Sequence, residues 1–362
     1  MTIKPSMNWL LVMVPVTVIL ERAHAAAPVV FFSAAFAIVP IASLIVRATE
    51  QISTRTGDAV GGLLNATFGN APELIISLVA LRAGLLDMVR ASIIGTIIAN
   101  LLLAVGFALF LGGLRHRDQQ FNAGAARIYS SMMLLAVISL IVPSAFERYF
   151  SGTEHLAQVR GLNTAMAVLL LATYGLYLVF MLRTHPELFR SDKKNGGHGH
   201  AEGPPWSIPR ALGTLVGASA LAAWMSEILV GAAEGTGTAL GMSQMFIGMV
   251  VVAIVGGAAE SLSAIAAGRR NKVDLTMGIA MGSSIQIALF VAPLLVLLSY
   301  VIAPETLQLS FNRAETGALL LAVLIGTVVS GDGRSNWYKG VQLLVVYAAI
   351  AMMFYFVPDV AR

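Results

Sequence analysis

The chain has 362 residues, a formal net charge of +4 at pH 7, 57% hydrophobic residues and only 12% charged ones, with a mean hydropathy of +0.80. This composition excludes an aqueous globule and marks an integral membrane protein, and apolar runs of about 20 residues favour a helix bundle over a barrel of short alternating strands. The absence of cysteine removes disulfides and thiolate metal sites, and no Lys/Arg cluster with interleaved aromatics suggests nucleic acid.

Eleven apolar runs separate at charged and Gly/Pro-rich breaks. The first, Met7 to Leu20, is the shortest and ends in Glu21-Arg22-Ala23-His24-Ala25-Ala26-Ala27. The small residues fit a signal-peptide cleavage site, but Glu21-Arg22 interrupts the approach to it, so a retained peripheral helix within 1–27 is expected. Pro28 to Thr49, Ala59 to Leu81, Val89 to Gly112, Ala125 to Phe146 and Gly161 to Leu182 then make a first half, 28–183. The longest polar break, Arg183 to Pro209, reads as a cytoplasmic linker over 184–209. Its His198-Gly199-His200 string, with His185 nearby, is a weak metal candidate in a Gly-rich stretch better read as solvated loop. Ile208 to Ala233, Ser243 to Gly268, Leu275 to Ile302, Ala314 to Val329 and Trp337 to Val357 make a second half, 210–362.

Charge sets the orientation. With the N-terminus and the turns after even-numbered runs on one side, that side gathers most of the 23 Lys and Arg, among them Arg47, Arg55, Arg115, Arg117, Arg269, Arg270, Lys272 and Arg334. The other side keeps Arg22, Arg82, Arg90, Arg148, Arg160, Arg313 and Arg362. The positive-inside rule then places the N-terminus in the cytoplasm and the C-terminus outside, provided that the first run really crosses.

Two runs carry the same buried-acid pattern, Gly69-Asn70-Ala71-Pro72-Glu73 and Gly256-Gly257-Ala258-Ala259-Glu260. A charge in hydrocarbon costs roughly 2.5 to 3.5 kcal/mol on insertion scales unless it faces a cavity, a partner or an ion. A constant offset of 187 aligns the two regions without a gap: Gly61 with Gly248, Ala66 with Ala253, Gly69 with Gly256, Ala71 with Ala258, Glu73 with Glu260, Arg82 with Arg269, Asp87 with Asp274, and Gly95 with Gly282. The acids fall on the third and eighth runs, which enter the membrane from opposite sides. That is the pattern of an inverted repeat, with a site near the midplane where the halves meet.

Pro72 and the glycines weaken the backbone beside each acid and free carbonyls to line a cavity. Asn70 and Glu73 share a helix face; Thr96 and Asn100 share one on the next run, as do Ser283 and Gln286 in the second half. Single Ser, Thr, Asn or Gln residues are as readily glue between membrane helices. Two carboxylates with amide, hydroxyl and carbonyl oxygens and water would supply the six to eight hard oxygen ligands that Ca²⁺ takes.

The strings GGLLNATFGNAPELIISLVALRAG, ASIIGTIIANLLL and MGIAMGSSIQIALFVAP resemble the two repeats of the Ca²⁺/H⁺ antiporters (CAX) of the Ca²⁺/cation antiporter superfamily, and the resemblance runs from the Pro28 helix to the last span. It implies an all-α integral membrane fold of about eleven transmembrane helices, two inverted five-helix repeats plus a peripheral N-terminal helix. It further implies that Glu73 and Glu260 bind the cation, that Asn70, Ser283 and Gln286 complete the site, and that Thr96 and Asn100 lie close by. This sequence departs from the family pattern at Gly257, where asparagine is usual, at Pro72, where Val or Thr is usual, and at Ala99, where Ser is usual. The Gly257 position thereby loses one amide ligand. The linker lacks the acidic run of relatives, and the short N-terminus leaves no room for an autoinhibitory tail like those of plant members. Glu50 and Glu227 occupy places that an inverted repeat makes equivalent, and similar acids in the family sit in aqueous vestibules.

The expected function is a secondary antiporter that exports Ca²⁺ from the cytoplasm in exchange for H⁺ by alternating access. Protons and Ca²⁺ compete for the same carboxylates, and no cofactor or enzymatic step is needed. A prokaryotic cell membrane is the expected location, and the oligomeric state, a homo-oligomer included, is left open. Three rivals remain: a Na⁺-coupled Ca²⁺ exchanger, whose repeats generally carry further acids; a cation channel; and an intramembrane protease, for which Asp332 falls in a turn and no histidine lies well inside a span.

Overall fold

The structure, a computed structural model, describes residues 7–56, 64, 67–149, 156–188 and 206–357. Gly61, Ala66, His198, His200 and most of the linker lie outside the described residues, as does the start of the run expected from Ala59.

A 3₁₀ turn over Met7–Val12 leads into α1 (Met13–Arg22), which packs against α2 (Ala27–Thr56). There follow α3 (Ala71–Arg82), α4 (Leu86–Arg115), α5 (Ala123–Tyr149), α6 (Leu156–Thr184) and α7 (Ile208–Leu240). The eighth is bent into α8a (Gln244–Gly256) and α8b (Ala258–Arg269); α9 (Val273–Ile302), α10 (Arg313–Ser330) and α11 (Trp337–Phe356) complete the bundle. Eight of these helices, α2, α4 to α7 and α9 to α11, are long and apolar enough to cross a membrane, and the bent pair makes a ninth if it is one span.

Two boundaries differ from the sequence expectation for a physical reason. α2 continues past Thr49 to Thr56, and α7 past Ala233 to Leu240. A partly exposed Glu50 or an exposed Glu234 does not interrupt backbone hydrogen bonding; what ends α7 is Gly241, whose φ of +65° makes the left-handed cap that favours glycine. The all-helical expectation also missed a small ribbon: β1 (Gln119–Gln120) pairs antiparallel with β2 (Arg334–Ser335).

α4 is the central helix, with 83% of its apolar window buried, whereas α6 has 22% and lies at the periphery. α4 crosses α8a in close backbone contact: a Cβ on Gly95 would lie 2.1 Å from the Met249 carbonyl oxygen, and one on Gly248 2.5 Å from that of Met88. Small residues are what let helix backbones approach this closely in a membrane bundle. α2 and α7 form the most extensive helix pair.

At one end, three turns are stitched together. The fully buried Gln119 donates through Nε2 to Gly268 O (3.0 Å) and Asn271 Oδ1 (3.1 Å), and Phe121 N donates to Gly333 O (2.9 Å). The turns after α4, α8 and α10 therefore share a side, as the grouping by positive charge requires. Elsewhere, Trp206 packs against the guanidinium groups of Arg47 and Arg210, 5.4 and 4.8 Å from its ring centre, and donates its backbone N–H to Gln51 Oε1 at 2.8 Å.

Candidate cation-binding site

Both acid-bearing runs break where their sequence is weakest. Gly69 and Asn70 form a turn, and α3 starts at Ala71 with Pro72 in its first turn, where a missing N–H leaves no helical hydrogen bond unmade. In the second half the chain bends by 60° between Gly256 and Ala258. Asn70 and Gly257 hold φ of −97° and −77°, so both turns are open to residues with side chains. Each break puts one glutamate, Glu73 or Glu260, into the first turn of the next helix. Unpaired N–H groups and the positive end of the helix dipole favour an anion there, and the interruption frees carbonyls of the preceding segment. π-helical segments adjoin the site: Ala99–Ala104 carries Asn100, Ile247–Val252 leads into the bend, and Ile287–Val291 follows Gln286. Such single-turn bulges recur at functional positions in helices.

Side chains from the two halves meet in one hydrogen-bonded chain. Asn70 Nδ2 donates to Gln286 Oε1 (2.5 Å), Ser283 Oγ donates to Asn70 Oδ1 (2.6 Å), and Asn100 Nδ2 donates to Ser283 Oγ (3.1 Å). Asn70, Asn100 and Ser283 are buried and Gln286 is half-buried. Ser283 also interacts with the Glu260 carboxylate.

Glu73 is only 6% exposed, and neither of its carboxylate oxygens has a hydrogen-bond partner. Glu260 is half-buried, with Oε2 likewise inaccessible and unpartnered. The two groups are close enough to interact through their charges. A buried, uncompensated ion is penalised by several kcal/mol, and two of like sign are worse. The pair is satisfied when a cation or protons neutralise it. Gly257 leaves the space beside them open: a Cβ there would lie 3.6 Å from Asn100 Oδ1 and 3.7 Å from Glu73 Oε1.

Thr96 donates its hydroxyl proton to Ser92 O at 2.8 Å, which leaves its oxygen lone pairs for a cavity of about 10 Å³ beside Glu73. That volume is about the minimum for one water. The cavity is also lined by Ser77 and Ser92, which the sequence reading did not single out. Their spacing was the available signal, since Ser77 lies four residues after Glu73 and Ser92 four before Thr96, on the same helix faces. The structure thus brings Glu73, Glu260, Asn70, Asn100, Ser283, Gln286, Thr96 and Gly257 into one region. It leaves Glu50, half-buried on α2, and Glu227, exposed on α7, outside the hydrogen-bonded chain.

The family model described as sodium/calcium exchanger protein matches residues 26–183 and 210–356. The chain belongs to the sodium/calcium exchanger family. Among family relatives, the Ca(2+)/H(+) antiporter of Aphanothece halophytica is 38% identical over 361 residues, 97% of this chain and 96% of that one. That of Synechocystis sp. is 42% identical over 341 residues, 91% of each chain, and the Ca(2+)/H(+) antiporter ChaA of Bacillus subtilis is 39% identical over 94% of this chain and 96% of its own. Native YfkE, a solved structure 36% identical, superposes with a TM-score of 0.83 over 97% of this chain and 100% of that one. The H⁺/Ca²⁺ exchanger CAX, at 13% identity and a TM-score of 0.67, shares the fold.

Proposed function

We propose that this protein is a secondary antiporter that moves Ca²⁺ out of the cytoplasm in exchange for H⁺, by alternating access to one site built on Glu73 and Glu260. The observation that carries the proposal is the pair of carboxylates at two helix breaks, with buried, unpartnered oxygens beside an amide and hydroxyl chain drawn from both halves. The full-length relatives named as Ca(2+)/H(+) antiporters support the choice of ions. On this reading Glu73 and Glu260 carry either Ca²⁺ or protons, while Asn70, Ser283 and Gln286 offer further oxygens, with Thr96 and Asn100 in support. Gly257 makes room for the ion or its water. Glu50 and Glu227 serve as vestibule acids. Ca²⁺ and H⁺ are cargo, and the site asks for no resident cofactor.

The same proposal takes the chain as two inverted five-helix repeats, 28–183 and 210–362, joined by a cytoplasmic linker over 184–209, with a peripheral helix within 1–27 and about eleven transmembrane helices in all. Two observations support it: the family model matches in two parts, and the offset of 187 carries Glu73, Arg82 and Asp87 onto Glu260, Arg269 and Asp274. In both halves the Arg falls in the last turn of the acid-bearing helix and the Asp in the first turn of the next. The N-terminus lies in the cytoplasm and the C-terminus outside, in a prokaryotic cell membrane.

Reconstituted vesicles with an imposed pH gradient, tested separately with Ca²⁺, Mn²⁺ and Na⁺, decide the matter. The expected result is uphill Ca²⁺ uptake driven by an opposed proton gradient with no Na⁺ present. Uptake that requires Na⁺ and ignores the pH gradient overturns the proton-coupled assignment.

A further inference from the structure

A surface groove begins between the first turns of α6 and the last turn of α9 and follows α6 inward, with a volume of about 850 Å³. Arg160 and Tyr300 stand at its mouth, where the Tyr300 hydroxyl lies 2.9 Å from Thr164 Oγ1. Gly161, Ala165, Val168, Leu169 and Ala172 make up its apolar floor, and a Cβ on Gly161 would meet nothing within 4 Å. α6 is the least buried of the helices long enough to span, at 22%, so the groove opens toward hydrocarbon. From Arg160 to Ala172 the helix advances about 18 Å at 1.5 Å per residue, close to one leaflet's half of the ~30 Å hydrocarbon thickness. The mouth carries the Arg160 guanidinium, the floor is apolar, and among the described residues no acidic side chain lines the groove.

We propose that this groove binds one phospholipid with an anionic headgroup, its head held at the Arg160 guanidinium beside Tyr300 and one acyl chain laid along α6. A guanidinium at the membrane interface matches a phosphate in charge and in hydrogen-bond geometry, and Arg and Tyr side chains at a span's end favour the headgroup level. A second copy of the chain fits less well despite the small residues. A two-fold axis along the membrane normal sets identical residues at the same depth, so two-fold self-packing on this face brings two Arg160 guanidiniums together with no acid among the described groove residues to offset them. The proposal does not depend on which ions are transported.

Native mass spectrometry of the full-length protein, released from detergent after addition of phosphatidylglycerol or phosphatidylcholine, tests it. The expected result is one retained phosphatidylglycerol, bound about fivefold more tightly than phosphatidylcholine, in line with about 1 kcal/mol per basic residue at a charged surface. Arg160→Gln brings the two lipids to near parity, and Ala165→Phe, which fills the floor from an exposed helix position, abolishes retention of both. Equal binding of the two lipids by the wild type, or a preference that survives Arg160→Gln, overturns the proposal. So does an Ala165→Phe variant that changes the oligomeric mass but keeps its lipid, since the groove then holds a second copy.

Discussion

Glu73→Gln separates what the site does for the fold from what it does for the ion. Glu73 is 6% exposed with neither carboxylate oxygen hydrogen-bonded to the protein, so without a cation its charge weighs against the folded state by several kcal/mol before relaxation or protonation. A neutral amide of the same shape relieves that penalty, and the unliganded variant should unfold at the same temperature as the wild type or above it. Ca²⁺ binding should move in the opposite direction. Removing one partner of a buried charge pair typically costs about 3 to 5 kcal/mol, which is roughly a 160- to 4,600-fold loss of affinity. At free Ca²⁺ 100 times the wild-type Kd the ion adds about 2.7 kcal/mol to wild-type stability. At the same concentration a variant weakened by about 160-fold or more gains no more than about 0.3 kcal/mol. Thermal unfolding in detergent, in alkaline buffer where proton competition is weakest, with and without chelator, reads both quantities. A variant that is destabilised in chelator and still shifted by Ca²⁺ like the wild type would refute the placement of Glu73 in the ion site.

Three further outcomes are expected. Gly257→Asn should tighten apparent Ca²⁺ affinity about fivefold, worth about 1 kcal/mol for one added amide contact, because φ is −77° and the new Cβ meets its neighbours at 3.3 Å or more; Ca²⁺-induced proton release checks it, and weaker binding in a folded variant means a carbonyl or water already fills the place. Ser283→Ala leaves Asn70 Oδ1 and Asn100 Nδ2 without their partner and should lower stability by about 1 to 3 kcal/mol per orphaned group; chemical unfolding measures this, and no change would mean that water replaces the hydroxyl. In the turn outside the spans, the Lys339 ammonium, 2.7 Å from both Asp332 carboxylate oxygens, holds the Asp332 carboxyl below its ordinary value. The pair's contribution, under about 1 kcal/mol for so exposed a carboxylate, is therefore present above the unfolded carboxyl's pKa and lost as pH falls through the folded one; the protection factors of the amides at 331–335, taken relative to the intrinsic exchange rate at each pH, should fall in acid, and Lys339→Met should remove that dependence.

Glu73 and Glu260 were readable because a charge in a long apolar run is costly, and because the offset of 187 also carries Arg82 and Asp87 onto Arg269 and Asp274. The bend at Gly257 could be anticipated from Gly-Gly, but not its angle of 60°. The π-helical turn under Asn100 has no mark in hydropathy, since an i to i+5 hydrogen bond leaves the apolar pattern nearly unchanged. β1 and β2 are two residues each and carry no period to detect. The packing of Trp206 against Arg47 and Arg210 joins residues more than 150 positions apart in part, as the Gln51–Trp206 hydrogen bond at a separation of 155 shows, and only the folded chain brings them together.

The hydrogen-bonded chain at the site bears on how occupancy reaches the rest of the bundle. Asn70 and Asn100 come from the first half of the sequence, Ser283 and Gln286 from the second, and Asn70 uses both ends of its amide to reach across. On the proposed reading, a cation between Glu73 and Glu260 draws amide and hydroxyl oxygens toward itself, and an oxygen so engaged is a poorer acceptor for its former donor. Ion binding and the hydrogen bonds between halves therefore draw on the same few oxygens. A ligand shifts a conformational equilibrium only through a difference in its interactions with the two states. On the proposed reading, that difference lies at the seam between the halves, where alternating access requires movement. Asn70→Asp tests the link: it keeps the acceptor facing Ser283 Oγ and removes the donor to Gln286 Oε1, so Ca²⁺ binding should persist while exchange slows. If binding persists and exchange keeps its wild-type rate, the Asn70–Gln286 hydrogen bond carries no coupling and the link runs through other contacts.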